Sequence, residues 1–277
     1  MSAERSTPQL HYSGLDLLWR CGVAFEFRHI KKVKAPPTSA LHVGRGVDEA
    51  ANVNLTSKIE TQELLPTEQV LDIARDTVKH VFTNEGVMLG PGEDNEKAAC
   101  DLAVDKAVRL TKAHATILAP TLKPKFVQRQ WTMTVPGFPF DIVGTRDLDE
   151  TDETIRDLKT SGKSPAKTAA FTSDQGTMYA LSKWVVEKIE PPIRFVLDTI
   201  VDLKRETKVS FLESTRTKAD FQVMVNRIEN AARILETGAF TPARQTDWWC
   251  SQRWCSYANQ CPYFRRPVSV AVNGEDE

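Results

Sequence analysis

The sequence predicts an α/β fold, a central sheet with helices packed against it. Three observations carry this. Runs 126–135, 140–148 and 154–160 read as strands in close succession. Runs 193–203 and 207–212 read as a hairpin turning at LKRET that extends the same sheet. Segments 67–82, 96–118, 173–189 and 220–236 repeat apolar residues at helical spacing, as with Val70, Ile73, Ala74, Val78 and Val81 in the first of them.

At 277 residues the chain is long enough to bury one large core or two small ones. Its 41% hydrophobic and 26% charged content is ordinary for a water-soluble protein. With a net charge of -1, a nucleic-acid surface has to come from local clustering, not overall basicity. No apolar run approaches a bilayer span, so no membrane partner is expected. The start, MSAERSTPQL, lacks an apolar signal core and reads as a flexible leader on a cytoplasmic protein. Neither an internal repeat nor a low-complexity tract is present.

In chain order, Ser13 and Asp16 read as a capped helix start, followed by Leu17, Leu18, Cys21 and Phe25 at helical spacing. Segment 31–37 is a basic, proline-ended linker. LHVGRGVDEAANVNL then reads as a helix with Gly44 and Gly46 in its opening turns, where glycine allows close backbone approach. Asp48 and Glu49 on that helix could aim a carboxylate at a site or form a solvated acidic pair. Cys100 is expected to be a packing residue and His114 a polar-face residue of the 96–118 helix. Gln175 and Tyr179, four apart, share a face of the 173–189 helix, which either touches a ligand or lies on the sheet with Tyr179 half-buried.

The chemistry is concentrated in Gly144 to Lys163, GTRDLDETDETIRDLKTSGK. Side chains two apart on a strand share a face, so Asp157 and Lys159 stand side by side, and Asp147 on the preceding strand can point into the same space. Two carboxylates and a lysine suit a divalent cation, a positioned water and a phosphate under attack. The same pattern also fits a solvated hairpin with a surface ion pair.

Three of the five cysteines fall in WWCSQRWCSYANQCPYF near the C-terminus, spaced C-x4-C-x5-C. Without an export signal this argues for metal or cluster binding over disulfides. The spacing is wider than a C-x2-C zinc knuckle, and three thiolates leave a four-ligand site one short, with Cys21 the best fourth candidate.

In this order, the motifs resemble the PD-(D/E)xK nuclease superfamily, most closely the RecB-like exonucleases of CRISPR-associated and phage type that carry a four-cysteine iron–sulfur cluster. The resemblance covers nearly the whole chain. It matches Asp147 to the aspartate of G-x-x-D, Asp157 and Lys159 to D-x-K, and Gln175 and Tyr179 to Q-x-x-x-Y. It matches Cys21, Cys250, Cys255 and Cys261 to the cluster ligands. It departs at G-x-x-x-H, where Gly44-Arg-Gly-Val-Asp48 puts an aspartate in place of histidine; His42 lies too early for that slot.

The resemblance implies a restriction-endonuclease-like central mixed sheet flanked by helices, its N- and C-terminal segments joined at a four-Cys metal cluster. The expected organisation is a leader over 1–12, one nuclease domain over 13–265 and a flexible tail over 266–277. Within the domain, 38–120 is helical, 125–213 the sheet core, 214–238 a helix and 248–264 the Cys-rich clasp.

The implied activity is metal-dependent hydrolysis of DNA phosphodiester bonds, in recombination, repair or phage DNA processing. Asp147, Asp157 and the Leu158 carbonyl would hold Mg2+ or Mn2+, with Asp48 a further ligand. Lys159 would orient the attacking water, and Gln175 and Tyr179 would grip the DNA. Lys163, Lys167 and Lys183 are minor candidates for tracking its backbone. The cysteines would bind [4Fe-4S], or Zn2+ as the alternative, and clasp the two ends of the chain. DNA is the implied partner, with a recombination or annealing protein as a second candidate. The competing reading is an inactive DNA-binding or adaptor subunit of the same fold; a redox protein would leave the acid–lysine set without a role.

Overall fold

The computed structural model describes residues 8–264, apart from 91, 136, 204, 205 and 253. A six-stranded mixed sheet lies at its centre. Its strands are β1 (Gln9–His11), β2 (Pro124–Met133), β3 (Asp141–Glu150), β4 (Ile155–Ser161), β5 (Ile193–Asp202) and β6 (Thr207–Arg216). The order is β1-β3-β4-β5-β6, with β2 on the other edge of β3. The β1–β3 and β4–β5 pairs are parallel and the rest antiparallel.

The β3–β4 pairing is short: only Leu148 with Arg156 and Asp149 with Ile155 are in register. Beyond them the strands separate. β2 takes one edge of β3, so β1, which pairs Gln9 to His11 with Asp141 to Val143, must fill the far end of the edge that β4 leaves. The sheet therefore contains a fork, bounded by β3, β4 and β1.

Alternation along β5 sends side chains to two cores. Ile193, Phe195 and Leu197 meet Met178 and Tyr179 of α6 (Asp174–Glu187) and Phe221 and Met224 of α7 (Lys218–Thr237). Ile200 meets the bundle formed by α3 (Ser39–Thr61), α4 (Thr67–Glu85) and α5 (Glu96–Ala113). Glycine at 46 is what lets α3 and α4 approach: a Cβ there would lie 2.5 Å from Val78 Cγ2 and 2.9 Å from the Ala74 carbonyl. Cys100 packs at the edge of this bundle, as expected of it.

The N-terminal expectations need correction. Residues 9–11 are a sheet strand, not part of a loose leader, because the widowed edge of β3 supplies backbone partners for them. The first helix, α1 (Tyr12–Arg20), begins without a side-chain cap, and Asp16 pairs with Arg20 instead of capping. At Cys21 the backbone is extended; its Sγ accepts from the Ala24 N–H at 3.4 Å and starts a new short helix, α2 (Gly22–Phe25). The expected tail, 266–277, lies outside the described residues. No helix among the described residues is long and apolar enough to cross a membrane.

Two other expectations fail for one reason: α6, and the turn that continues α5, bury polar residues that their own sequence suggests are exposed. Lys183, a candidate for tracking nucleic acid, is fully buried, with Nζ 2.7 Å from Glu153 and 2.9 Å from its carbonyl. His114, expected on a polar face, is 2% exposed at the start of a π-helical turn over His114–Leu118. Burial pushes its imidazole from 6.5 down to about 4. The neutral form is native, so the His114 contribution is complete above pH 6.5 and is lost as pH falls toward 4. Urea titrations should show a decline of about 3 kcal/mol across that window, which His114→Gln should flatten.

A buried charge network crosses the α6 side of the sheet. Arg146 on β3, with no exposed surface, donates to Asp149 at 2.7–3.1 Å, to Ser182 at 2.9 Å and to Glu187. Lys183 Nζ lies 3.9 Å from the same Asp149.

Candidate active site

The geometry follows from the register. In β3–β4 each pair sums to the same index, so the next pair past Leu148–Arg156 is Asp147 with Asp157. Opposed residues of an antiparallel pair project to the same side, and Lys159, two along β4, joins them. The ladder stops where two like charges would face one another, an arrangement that destabilises pairing. In place of a ladder bond, the Asp147 carboxylate reaches across and accepts the Leu158 N–H at 3.0 Å. The N–H and C=O of one strand residue point the same way, so the Leu158 carbonyl also faces the fork.

Glycine is required at 144 by close approach. A Cβ there would lie 2.4 Å from Cζ2 of Trp131 on β2, whose ring packs edge-on to Tyr179 at 6.4 Å. The first residue of the G-x-x-D motif thus lets an indole back the strand that carries Asp147.

Asp157 is 1% exposed, while the Lys159 side chain is 45% exposed. Lys159 Nζ sits 2.7 Å from both Asp157 oxygens, but only Oδ1 has hydrogen-bond geometry; Oδ2 is a buried acceptor without a hydrogen bond. Burial, then the Asp157 charge, pushes the Asp147 carboxyl up to about 8 against the opposing pull of Lys159. Burial also raises the Asp48 carboxyl, opposed by its bond from Asn52 and by Lys159. Burial works to lower the Lys159 ammonium, but Asp157, Asp147 and Asp48 outweigh it and the net shift is upward. These mutual effects place Asp48 in the same electrostatic cluster. Gly44, one turn before Asp48, runs beside Thr160 of β4, with Thr160 Oγ1 3.8 Å from where a Cβ would sit.

The cluster suits a hard cation: two opposed carboxylates, a third nearby, an unused acceptor atom and a strand carbonyl are all oxygen donors. In the side-chain arrangement described, no three His, Cys, Asp or Glu side chains among the described residues converge as a single-ion site. Asp157 instead turns to Lys159.

Gln175 Nε2 donates to the Tyr179 hydroxyl at 2.6 Å. Tyr179 is buried, not half-buried, and burial with the nearby Asp147 and Asp157 raises its phenol. Gln175 is partly exposed where Tyr179 is buried. His42 is fully buried, its Nε2 2.8 Å from the Gly86 carbonyl, away from the acidic cluster.

The four predicted cysteines line one cavity of about 880 Å³ between the start and end of the described chain. Cys21, Cys255 and Cys261 pack around Val23, Phe27 and Tyr257. The Phe27 and Tyr257 rings stack at 5.4 Å, and the Ala243 N–H donates to Cys21 Sγ at 3.4 Å. Trp249 and Trp254 also line this cavity.

Two residues beside the acids went unnoticed in the sequence, Asn52 and Gln128. Asn52 lies four after Asp48, a helical spacing that flags it only once Asp48 is known to matter; nothing in the sequence marks Gln128.

No functionally curated protein matches the sequence. A crystal structure from Eubacterium rectale, described as a "putative exonuclease", is similar over 97% of this chain and 93% of its own, at 14% identity and TM-score 0.50. A second solved structure, SSO0001, aligns over 92% of this chain and 96% of its own, at 13% identity and a TM-score of 0.35, too low to carry weight. The first likeness bears on the fold alone. The family model of the PD-(D/E)XK nuclease superfamily matches residues 9–262, from β1 through the cysteine-rich segment, and with the forked sheet this makes the chain a member of that superfamily.

Proposed function

We propose that this chain is a divalent-metal-dependent deoxyribonuclease, an exonuclease hydrolysing phosphodiester bonds in DNA recombination, repair or phage DNA processing. The observation that carries the reading is the meeting of Asp147, Asp157 and Lys159 at the β3–β4 fork. Asp147, Asp157, the Leu158 carbonyl and Asp48 would hold Mg2+ or Mn2+. Bound there, the ion supplies Lewis-acid polarisation of the phosphate and a bound water of lowered pKa. Lys159, half-exposed and held cationic by the carboxylates, orients the attacking water and donates to the phosphate oxygen as charge builds on it. Gln175, braced by Tyr179, offers its amide to the DNA next to the cut.

The exonuclease assignment follows the resemblance of the motifs to those of the RecB-like exonucleases, and the similar solved structure from Eubacterium rectale carries the name of an exonuclease. The cysteines gathered around one cavity support a metal clasp, [4Fe-4S] or Zn2+, that ties the first helices to the last segment. A recombination or annealing protein stays a candidate partner.

End-labelled linear duplex and single-stranded DNA, incubated with Mg2+, Mn2+ or chelator, tests this. Metal-dependent release of terminal nucleotides, with closed circles untouched, is expected. DNA binding without cleavage under either metal would replace the enzyme with an adaptor subunit. Protein purified without oxygen should carry iron and sulfide, or zinc, lost together in Cys250→Ala; metal-free protein of unchanged stability would remove the clasp.

A further inference from the structure

Asp48 does not stand alone on α3. Its Oδ2 accepts a hydrogen bond from Nδ2 of Asn52, one turn on, at 3.3 Å. The other end of the Asn52 amide, Oδ1, accepts from Nε2 of Gln128 on β2 at 3.2 Å. The backbone of Gln128 is unusual. Its φ is +50°, in the left-handed region that residues with a Cβ rarely adopt. Val127 and Arg129 on either side keep their partners Leu148 and Arg146, so Gln128 drops out of the ladder at the position that would face Asp147. Apart from a bulge between Pro124 and Phe126 at its start, the strand is deformed at Gln128, directly across β3 from the fork, and that residue's side chain goes to Asn52. Strain of this kind persists where surrounding structure holds it, and it concentrates at functional sites.

An asparagine amide has a donor end and an acceptor end of nearly the same shape. A carboxylate wants the donor. The Asp48 carboxylate selects the N–H end of the Asn52 amide, and the Oδ1 left at the other end is anchored by Gln128 Nε2. Without Gln128 the Asn52 side chain loses this second anchor and is free to swing away from the carboxylate. From this geometry we infer that Gln128 and Asn52 form a two-amide relay that fixes the Asp48 carboxylate for metal binding at the fork. Asn52 and Gln128 are positioning residues; neither touches the reacting atoms. The inference rests on the metal-dependent reading above and assigns the orientation of its third carboxylate, the one that stands where the family motif has a histidine.

The test is Mn2+ binding to metal-free protein, followed by the electron paramagnetic resonance signal of free Mn2+ and by calorimetry, alongside thermal melts. Asn52→Ala should weaken Mn2+ binding roughly 10-fold or more, the range seen when outer-shell partners of ligands are removed. Gln128→Gly removes the amide while putting glycine at the left-handed φ, so it should melt no lower than wild type and still lose several-fold in Mn2+ affinity. Because Gln128 acts through Asn52, the double variant should bind no worse than Asn52→Ala alone.

A packing role predicts the opposite split: lowered melting with unchanged Mn2+ affinity, or additive losses, and either overturns the relay. Wild-type Mn2+ binding together with unchanged binding in both single variants overturns the relay alone. Wild-type protein that neither binds Mn2+ nor cleaves DNA overturns the relay and the nuclease reading together.

Discussion

Asp157→Asn should lower the rate of DNA cleavage by about a thousand-fold or more while leaving DNA binding and the folded state in place. The carboxylate is 1% exposed, has one oxygen without a hydrogen bond, and faces Asp147 across the fork. Its removal takes away a charged metal donor and the direct partner of Lys159. It also relieves Asp147, which the Asp157 charge helps hold up at about 8. Relief of two opposed carboxylates stabilises the metal-free fold, so the melting temperature should stay level or rise. Single-turnover cleavage with saturating Mn2+, paired with a binding isotherm and a thermal melt, reads all three. A variant that cleaves within ten-fold of wild type would remove Asp157 from the chemistry. A variant that has lost DNA binding and fold would say that the residue is structural.

The second large effect is on stability and lies one residue from the site. Arg146→Met should destabilise the protein by roughly 3–5 kcal/mol, the range for breaking a buried ion pair by removing one partner. Arg146 has no exposed surface and satisfies Asp149, Glu187 and Ser182 together. Without it the Asp149 carboxylate, itself fully buried, keeps only Lys183, at 3.9 Å, as a side-chain partner among the described residues. Urea denaturation measures the loss. The double variant Arg146→Met with Asp149→Leu should recover part of it, because the penalty is that of an uncompensated charge and not of a missing attraction. A single variant within 1 kcal/mol of wild type would mean that water or relaxation reaches Asp149. Since Arg146 and Asp147 point to opposite sides of β3, activity per folded molecule should fall far less than stability.

Local pattern carried much of the fold because each element announces itself over a few residues. The hairpin expected over 193–212 is β5 and β6, and the strand expected over 154–160 is β4 to within a residue. The acid–lysine pair was legible for the same reason: a strand's two-residue period fixes Asp157 beside Lys159 whatever the rest of the chain does. Three residues, 9–11, are too short to show any period, and β1 exists only because β4 abandons an edge of β3.

What could be read from the order of residues alone was therefore the set of strands and helices, the D-x-K face and the cysteine count. The three-dimensional packing decided the rest. It set the fork that opposes Asp147 to Asp157, the burial of His114 and Lys183, and the bond from Gln128 to an asparagine 76 positions away. Periodicity reports on which side of its own element a side chain lies. Burial and hydrogen bonding depend on what another element brings to that side, and no local repeat encodes it.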